Sequence, residues 1–287
     1  MAASPTRHSA GAALLQDFSL EITCQDLAAL GEASTLLPPG TRVHVTFLAH
    51  EDAASRRAAA AGVRGLGLVP VPHVAARRLR SAEELDDLLA GLAVAGCADN
   101  LLVIAGDPAV PDGPFEDALA VIESGILERH GVRHVAISGY PEGHPAIADD
   151  VLWAAVTDKA AALRRRGLDG SVVTQFGFDA DAVLTWLEEA RDRGVDLPVR
   201  VGVPGPAGVK RLLGFATRFG VRTSTGIARK YGLSLANLAG TAGPDRFIRR
   251  FAEGYQPQRH GKVHLHFFTF GGLAATAGWV KDYRTSA

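Results

Sequence analysis

A chain of 287 residues exceeds the common domain size but fits one (β/α) barrel, and with 47% apolar residues it can bury a large core, which excludes extended disorder. Its formal net charge is −1, from 30 Lys+Arg against 31 Asp+Glu, so it carries no basic field that would draw nucleic acid or anionic lipid non-specifically. Two cysteines, Cys24 and Cys97, exclude a disulfide scaffold and a cysteine-built zinc site. No apolar run reaches membrane-spanning length and no signal-peptide core opens the chain, so a soluble cytoplasmic protein is expected. Residues 1–16 read as a flexible tail and 17–287 as one domain.

Short β-type runs alternate with longer amphipathic segments. Phe18–Thr23 precedes a helix over Leu27–Leu36, Arg42–Phe47 precedes Ala53–Ala61, and Leu66–Val71 precedes Ala82–Ala93. Leu101–Ala105 leads to Phe115–Arg129, Val132–Ile137 to Asp149–Arg166, and Ser171–Phe176 to Asp181–Arg193. Val199–Val203 leads to Ala207–Phe219, and Val263–Phe268 to an Ala-rich helix ending near Asp282, with extra helices over Ile227–Leu238 and Pro244–Glu253 between the seventh and eighth strands. Several strands are apolar on both faces, as parallel strands covered by helices must be. Eight β-then-α units in this length predict an α/β fold, a closed single-domain (β/α)8 TIM barrel rather than an open sheet.

In such a barrel the site is built at the C-terminal ends of the strands. Alternation along Ser19–Thr23 puts Glu21 on the face opposite Leu20 and Ile22, pointing into the barrel mouth. A carboxylate withdrawn from water there favours the protonated form that a general acid needs near neutral pH. Thr46, His73, Asp107 and Gln175 end or follow the second, third, fourth and sixth strands. After the fifth comes Ser138–Gly139–Tyr140–Pro141–Glu142–Gly143–His144–Pro145, whose prolines and glycines specify its shape. Each has a plain structural alternative: a satisfied loop histidine, a turn-initiating Asp107, and, for Asp179, an N-cap of the following helix. His264 and His266, two apart on the eighth strand, share a face and could ligate a metal; with no evident carboxylate partner, support of the barrel floor or of a substrate is the simpler expectation. Nucleophile-elbow, Walker and complete dinucleotide glycine motifs are absent.

Read together, Ser19–Leu20–Glu21, Val45–Thr46, Pro72–His73, Gly106–Asp107–Pro108, the Tyr140–Pro145 loop, Thr174–Gln175–Phe176–Gly177–Phe178–Asp179, Val203–Pro204–Gly205 and His266–Phe267–Phe268–Thr269 resemble the catalytic barrel of the methylenetetrahydrofolate reductases, from about residue 18 to 282. The resemblance implies a one-carbon oxidoreductase of the kind that serves methionine biosynthesis, interconverting 5,10-methylenetetrahydrofolate and 5-methyltetrahydrofolate with NAD(P)H. It implies Glu21 and Asp107 as catalytic residues. Asp107, Gln175, Phe176 and Phe268 would bind the folate, and Thr46, His73, Gly106, Tyr140 and His144 the cofactor. No metal is implied, and a homo-oligomer is compatible with it. FAD is the family's usual cofactor, but several FAD-anchoring positions are unmatched. Ala105 stands where the family has arginine, Trp153 and Val156 where it has Asp and Asn, and Ala160 near its lysine, with Asp158 and Lys159 alongside. Phe270 and Gly271–Gly272 replace an asparagine and an arginine after the eighth strand. Losing charge-assisted bonds worth about 1.5–3 kcal/mol each weakens the hold on a flavin diphosphate, which leaves two readings open: NAD(P)H delivers the hydride directly with its nicotinamide in the flavin space, or other backbone and Arg contacts hold the flavin. Two alternatives remain: a silent folate- or flavin-binding partner of a methyltransferase, and a metal-dependent barrel hydrolase or lyase using His264 and His266.

Overall fold

The computed structural model describes residues 11–48, 51–218 and 240–286. Eight parallel strands close into a barrel: β1 (Ser19–Ile22), β2 (Arg42–Val45), β3 (Val69–Ala75), β4 (Asn100–Ile104), β5 (His134–Gly139), β6 (Asp169–Thr174), β7 (Val199–Pro204) and β8 (Val263–Phe268). Each pairs with its predecessor, and β8 returns to β1 through Ser19↔His266, Leu20↔Phe267 and Glu21↔Phe268. Flanking helices are α1 (Leu27–Ala33), α2 (Ala53–Gly65), α3 (Ala82–Val94), α4 (Ala118–Glu123), α5 (Asp149–Arg166), α6 (Ala180–Asp192), α7 (Val209–Arg218), α8 (Asp245–Gly254) and α9 (Leu273–Thr285). This is the (β/α)8 architecture that the alternation of elements predicts.

Two-residue alternation divides each strand between two cores. Leu20, Val43, Val74, Leu101, Val103, Val135, Ile137, Val172, Val201 and Phe267 face the helices in the main hydrophobic cluster. Each such side chain stabilises the fold by about 1.5–3 kcal/mol on burial. Val71, Leu102, Ala136 and Val173, with Ile104 against them, form a separate cluster inside the barrel. Side-chain caps fix where helices begin: Asp52 accepts from Ser55 N at 2.7 Å, Asp117 from Ala120 N at 2.9 Å, and Asp179 from Asp181 N at 3.1 Å.

Several boundaries differ from expectation. The third strand does not stop at Val71 but continues through Pro72 and His73 to Ala75, which puts His73 inside the barrel wall. Phe115–Arg129 is not one helix: Gly125, at φ +76°, separates α4 from a single turn over Ile126–Arg129. Ala207–Gly208 pairs antiparallel with Thr241–Ala242 instead of starting a helix. Of the expected tail, Leu14 and Leu15 are buried, so packing begins before residue 17. The expected helix Ile227–Leu238 lies outside the described residues. Among the described residues no helix is long and apolar enough to cross a membrane.

Candidate functional site

Closing the barrel through β8 and β1 brings Glu21 over an interior of imidazoles. Glu21 is half-buried; its Oε2 lies 3.6 Å from Nε2 of His266, whose side chain is wholly enclosed. Ser19 Oγ stands 2.9 Å from His266 Nδ1. The His44 ring crosses His266 at 4.6 Å between centroids, and His44 Nδ1 lies 3.3 Å from His73 Nε2. Burial holds both neighbours neutral: the His44 imidazole titrates well below the ordinary histidine range, and that of His73 is pushed down to about 4. His264 faces the other end of the barrel, with Nε2 3.5 Å from Asp17, which also pairs with Arg42 and Arg200. One of the two β8 histidines therefore stands on the floor and the other beneath the mouth. Among the described residues no group of three or more His, Cys, Asp and Glu is arranged to hold a metal ion.

Around the mouth, Gln175 is half-buried and its Oε1 accepts from Phe176 N at 3.0 Å. Phe268, half-buried, packs edge-on to His266 at 5.1 Å and to Phe176 at 5.2 Å. Phe176 is 2% exposed and lies beneath Phe268 and Phe270, so it backs the aromatic wall instead of presenting a face. Phe270, in turn, stacks on Phe215 at 4.0 Å. Thr269 Oγ1 donates to the Glu21 carbonyl at 2.8 Å and ties this wall to β1. Thr46 Oγ1 is enclosed without a hydrogen-bond partner among the described residues.

Asp107 sits apart from this enclosed group. Its side chain is 79% exposed, on the loop after β4, and both Nε and Nη2 of Arg78 donate to its Oδ1, at 2.9 and 2.6 Å. Gly106 precedes it at φ +92°, a conformation that favours glycine.

The loop after β5 is braced from below. Glu142 Oε1 accepts from Phe178 N at 2.7 Å and Asp179 N at 2.9 Å, locking the β5 loop to the β6 loop. A Cβ on Gly177 would run into that same oxygen, which accounts for a glycine between two phenylalanines. Tyr140 and His144 meet edge-on at 5.3 Å; burial pushes the Tyr140 hydroxyl up and the His144 imidazole down. Behind them opens a cleft of about 430 Å³ between α5 and α6. Its walls carry Glu142, Asp149, Asp179, Glu189, Trp153 and Trp186 and, among the described residues, contain no Lys, Arg or His. The two indoles stack at 5.4 Å, and the Arg193 guanidinium lies over Trp153 at 4.6 Å. Val156 lines the cleft. Lys159 turns away: it is buried, its Nζ reaches Ser138 Oγ at 3.4 Å, and burial lowers its ammonium to about 8.

Sequence reasoning missed His44, Ser19 as a partner of His266, and the bracing role of Glu142. Alternation does place His44 inward, but its meeting with His266 depends on the Glu21↔His44 and Glu21↔Phe268 registers, which only the closed barrel supplies.

Residues 29–224 match the family model described as methylenetetrahydrofolate reductase. Methylenetetrahydrofolate reductase 2 of Saccharomyces cerevisiae is 27% identical over 148 residues, 48% of this chain and 24% of that protein, so the match spans about a quarter of the relative's length. Two solved structures of dihydropteroate synthase from Thermus thermophilus align with 95% and 94% of this chain and 96% and 94% of theirs, at 17% and 16% identity and TM-scores of 0.48 and 0.49.

Proposed function

Because the chain belongs to the methylenetetrahydrofolate reductase family, we propose that it interconverts 5,10-methylenetetrahydrofolate and 5-methyltetrahydrofolate by hydride transfer from or to NAD(P)H without a flavin. The observation that carries this reading is Glu21, a half-buried carboxylate at the mouth of a closed barrel, between an interior of imidazoles and the Phe268 wall. In the reductive direction the Glu21 proton goes to the bridging nitrogen that leaves, where it ends as N–H. The C–N bond opens, and the methylene carbon becomes an iminium on the remaining nitrogen. NAD(P)H supplies the hydride that converts this carbon to methyl. The chain's own part is protonation, orientation and exclusion of water. Phe268, backed by Phe176, offers an aromatic face to a flat ring, and Gln175 an amide at the edge of the mouth. Asp107 takes the pterin's amino and ring nitrogens in exchange for Arg78.

FAD, the family's usual cofactor, does not fit the residues that would hold it. The cleft beside Tyr140 is lined by Trp153 and Val156 and by four carboxylates, Glu142, Asp149, Asp179 and Glu189, which repel a diphosphate. The one amine on that helix near the expected lysine position, Lys159, is buried against Ser138. This lining supports transfer of the hydride directly from NAD(P)H.

The test is an absorbance spectrum of protein purified without added cofactor, followed by an NAD(P)H–methylenetetrahydrofolate assay with and without FAD. A colourless protein that oxidises NAD(P)H only when the folate is present supports the proposal. Stoichiometric flavin with flavin-dependent turnover overturns direct transfer, and a colourless, inactive protein overturns the enzyme reading in favour of a silent binding module.

A further inference from the structure

Glu21 does not stand alone above the barrel interior. His266 faces it from the adjoining strand β8, with Nδ1 2.9 Å from Ser19 Oγ and Nε2 3.6 Å from Glu21 Oε2. The ring is 0% exposed and Nε2 has no hydrogen-bond partner among the described residues. An enclosed polar atom left unmatched is costly, and that cost is removed when the carboxyl group moves a fraction of an ångström closer. The other titratable groups beside this pair are His44 on β2 and His73 on β3, while Arg200 on β7 pairs with Asp17 at the floor. His44 and His73 are held neutral, which leaves Glu21 as the charge-bearing partner that His266 can meet at the mouth.

We propose that His266, oriented by Ser19, is the positioning residue for Glu21. A serine hydroxyl both donates and accepts. With Ser19 donating to Nδ1, Nε2–H donates to Glu21 Oε2, while the other carboxyl oxygen carries the proton that goes to the leaving nitrogen. Because Oε2 accepts in the carboxyl and in the carboxylate form alike, the ring keeps one arrangement of its protons, and His266 holds the acid in one place before and after it releases its proton. This rests on the reading of Glu21 as the proton donor.

The test compares His266→Leu, His266→Gln and Glu21→Gln, alone and combined, with 5-methyltetrahydrofolate binding and thermal melts as controls. Glu21→Gln should retain folate binding and lose turnover by about 10²–10⁴-fold. His266→Leu should leave the folate KM within about threefold and lower kcat by about 10–100-fold, the range seen when a partner of a functional side chain is removed. His266→Gln, which places an amide N–H near the Nε2 position, should recover part of that loss. In the Glu21→Gln background, His266→Leu should change kcat less than twofold. Equal losses in both backgrounds, or unchanged kcat in His266→Leu, overturn the proposal. A measurement independent of turnover separates this inference from the proposed function. The 15N resonance of His266 Nε2 should shift between wild type and Glu21→Gln even if the wild type has no reductase activity, and an unmoved resonance overturns the assignment.

Discussion

Glu142 and Gly177 show how a loop that looks polar can be structural. Glu142 spends one carboxylate oxygen on two backbone N–H groups, those of Phe178 and Asp179, and the space that oxygen occupies is the space a Gly177 side chain would need. Gly177→Ala should therefore destabilise the protein by about 1–3 kcal/mol, the usual cost of overpacking, measured by denaturant unfolding. In a Glu142→Ala background the same substitution should cost less, because the clashing oxygen is gone. An equal cost in both backgrounds would show that the glycine is there for another reason. Glu142 thus supports the Tyr140 loop from beneath, and the cleft wall is built on that support.

At the scale of the element, β3 accounts for the largest difference between sequence and structure. Val69–Pro70–Val71–Pro72 reads as a strand reaching its end, since proline lacks the N–H that a central strand donates. Here the two prolines are two residues apart, so the missing donors fall on one side of the strand, and Pro70 and Pro72 pair in register with Val43 and Val45. His73 follows inside the wall, against His44, where burial pushes it down to about 4. In the unfolded chain the same ring titrates near its ordinary 6.5. Between those two values the unfolded state binds more protons, so this contribution to stability is complete above about pH 6.5 and is lost as the pH falls toward 4. His44, His134 and His264 are lowered too and act in the same direction. Melting temperature should fall across this window, and His73→Gln should flatten the slope without abolishing it. A melting temperature flat between pH 6.5 and 4 contradicts the buried neutral pair.

For the whole molecule, the order of β-then-α units made the barrel legible, because parallel strands covered by helices leave a period that the sequence carries. Glu21 was legible for the same reason: alternation alone turns it inward. The pairing of Glu21 with His266 was not, because it spans the closure of the barrel and depends on how far β8 is staggered against β1. Nor was the ion pair between Asp107 and Arg78, two residues brought together by the loops after β3 and β4. The acidic lining of the cleft drew on α5, α6 and two loops at once, while the sequence showed only the substitutions on α5.

Direct hydride transfer at this mouth is tested most directly by following the hydrogen itself. Purified protein would be given 5,10-methylenetetrahydrofolate and NAD(P)H deuterated at the transferring C4 position in ordinary water, and the product methyl group examined by mass spectrometry. Direct transfer predicts one deuterium retained in the methyl group of 5-methyltetrahydrofolate, with no flavin band in the protein. Loss of the deuterium to solvent, as happens when a hydride rests on an exchangeable flavin nitrogen, together with a flavin absorbance that turnover requires, would contradict direct transfer.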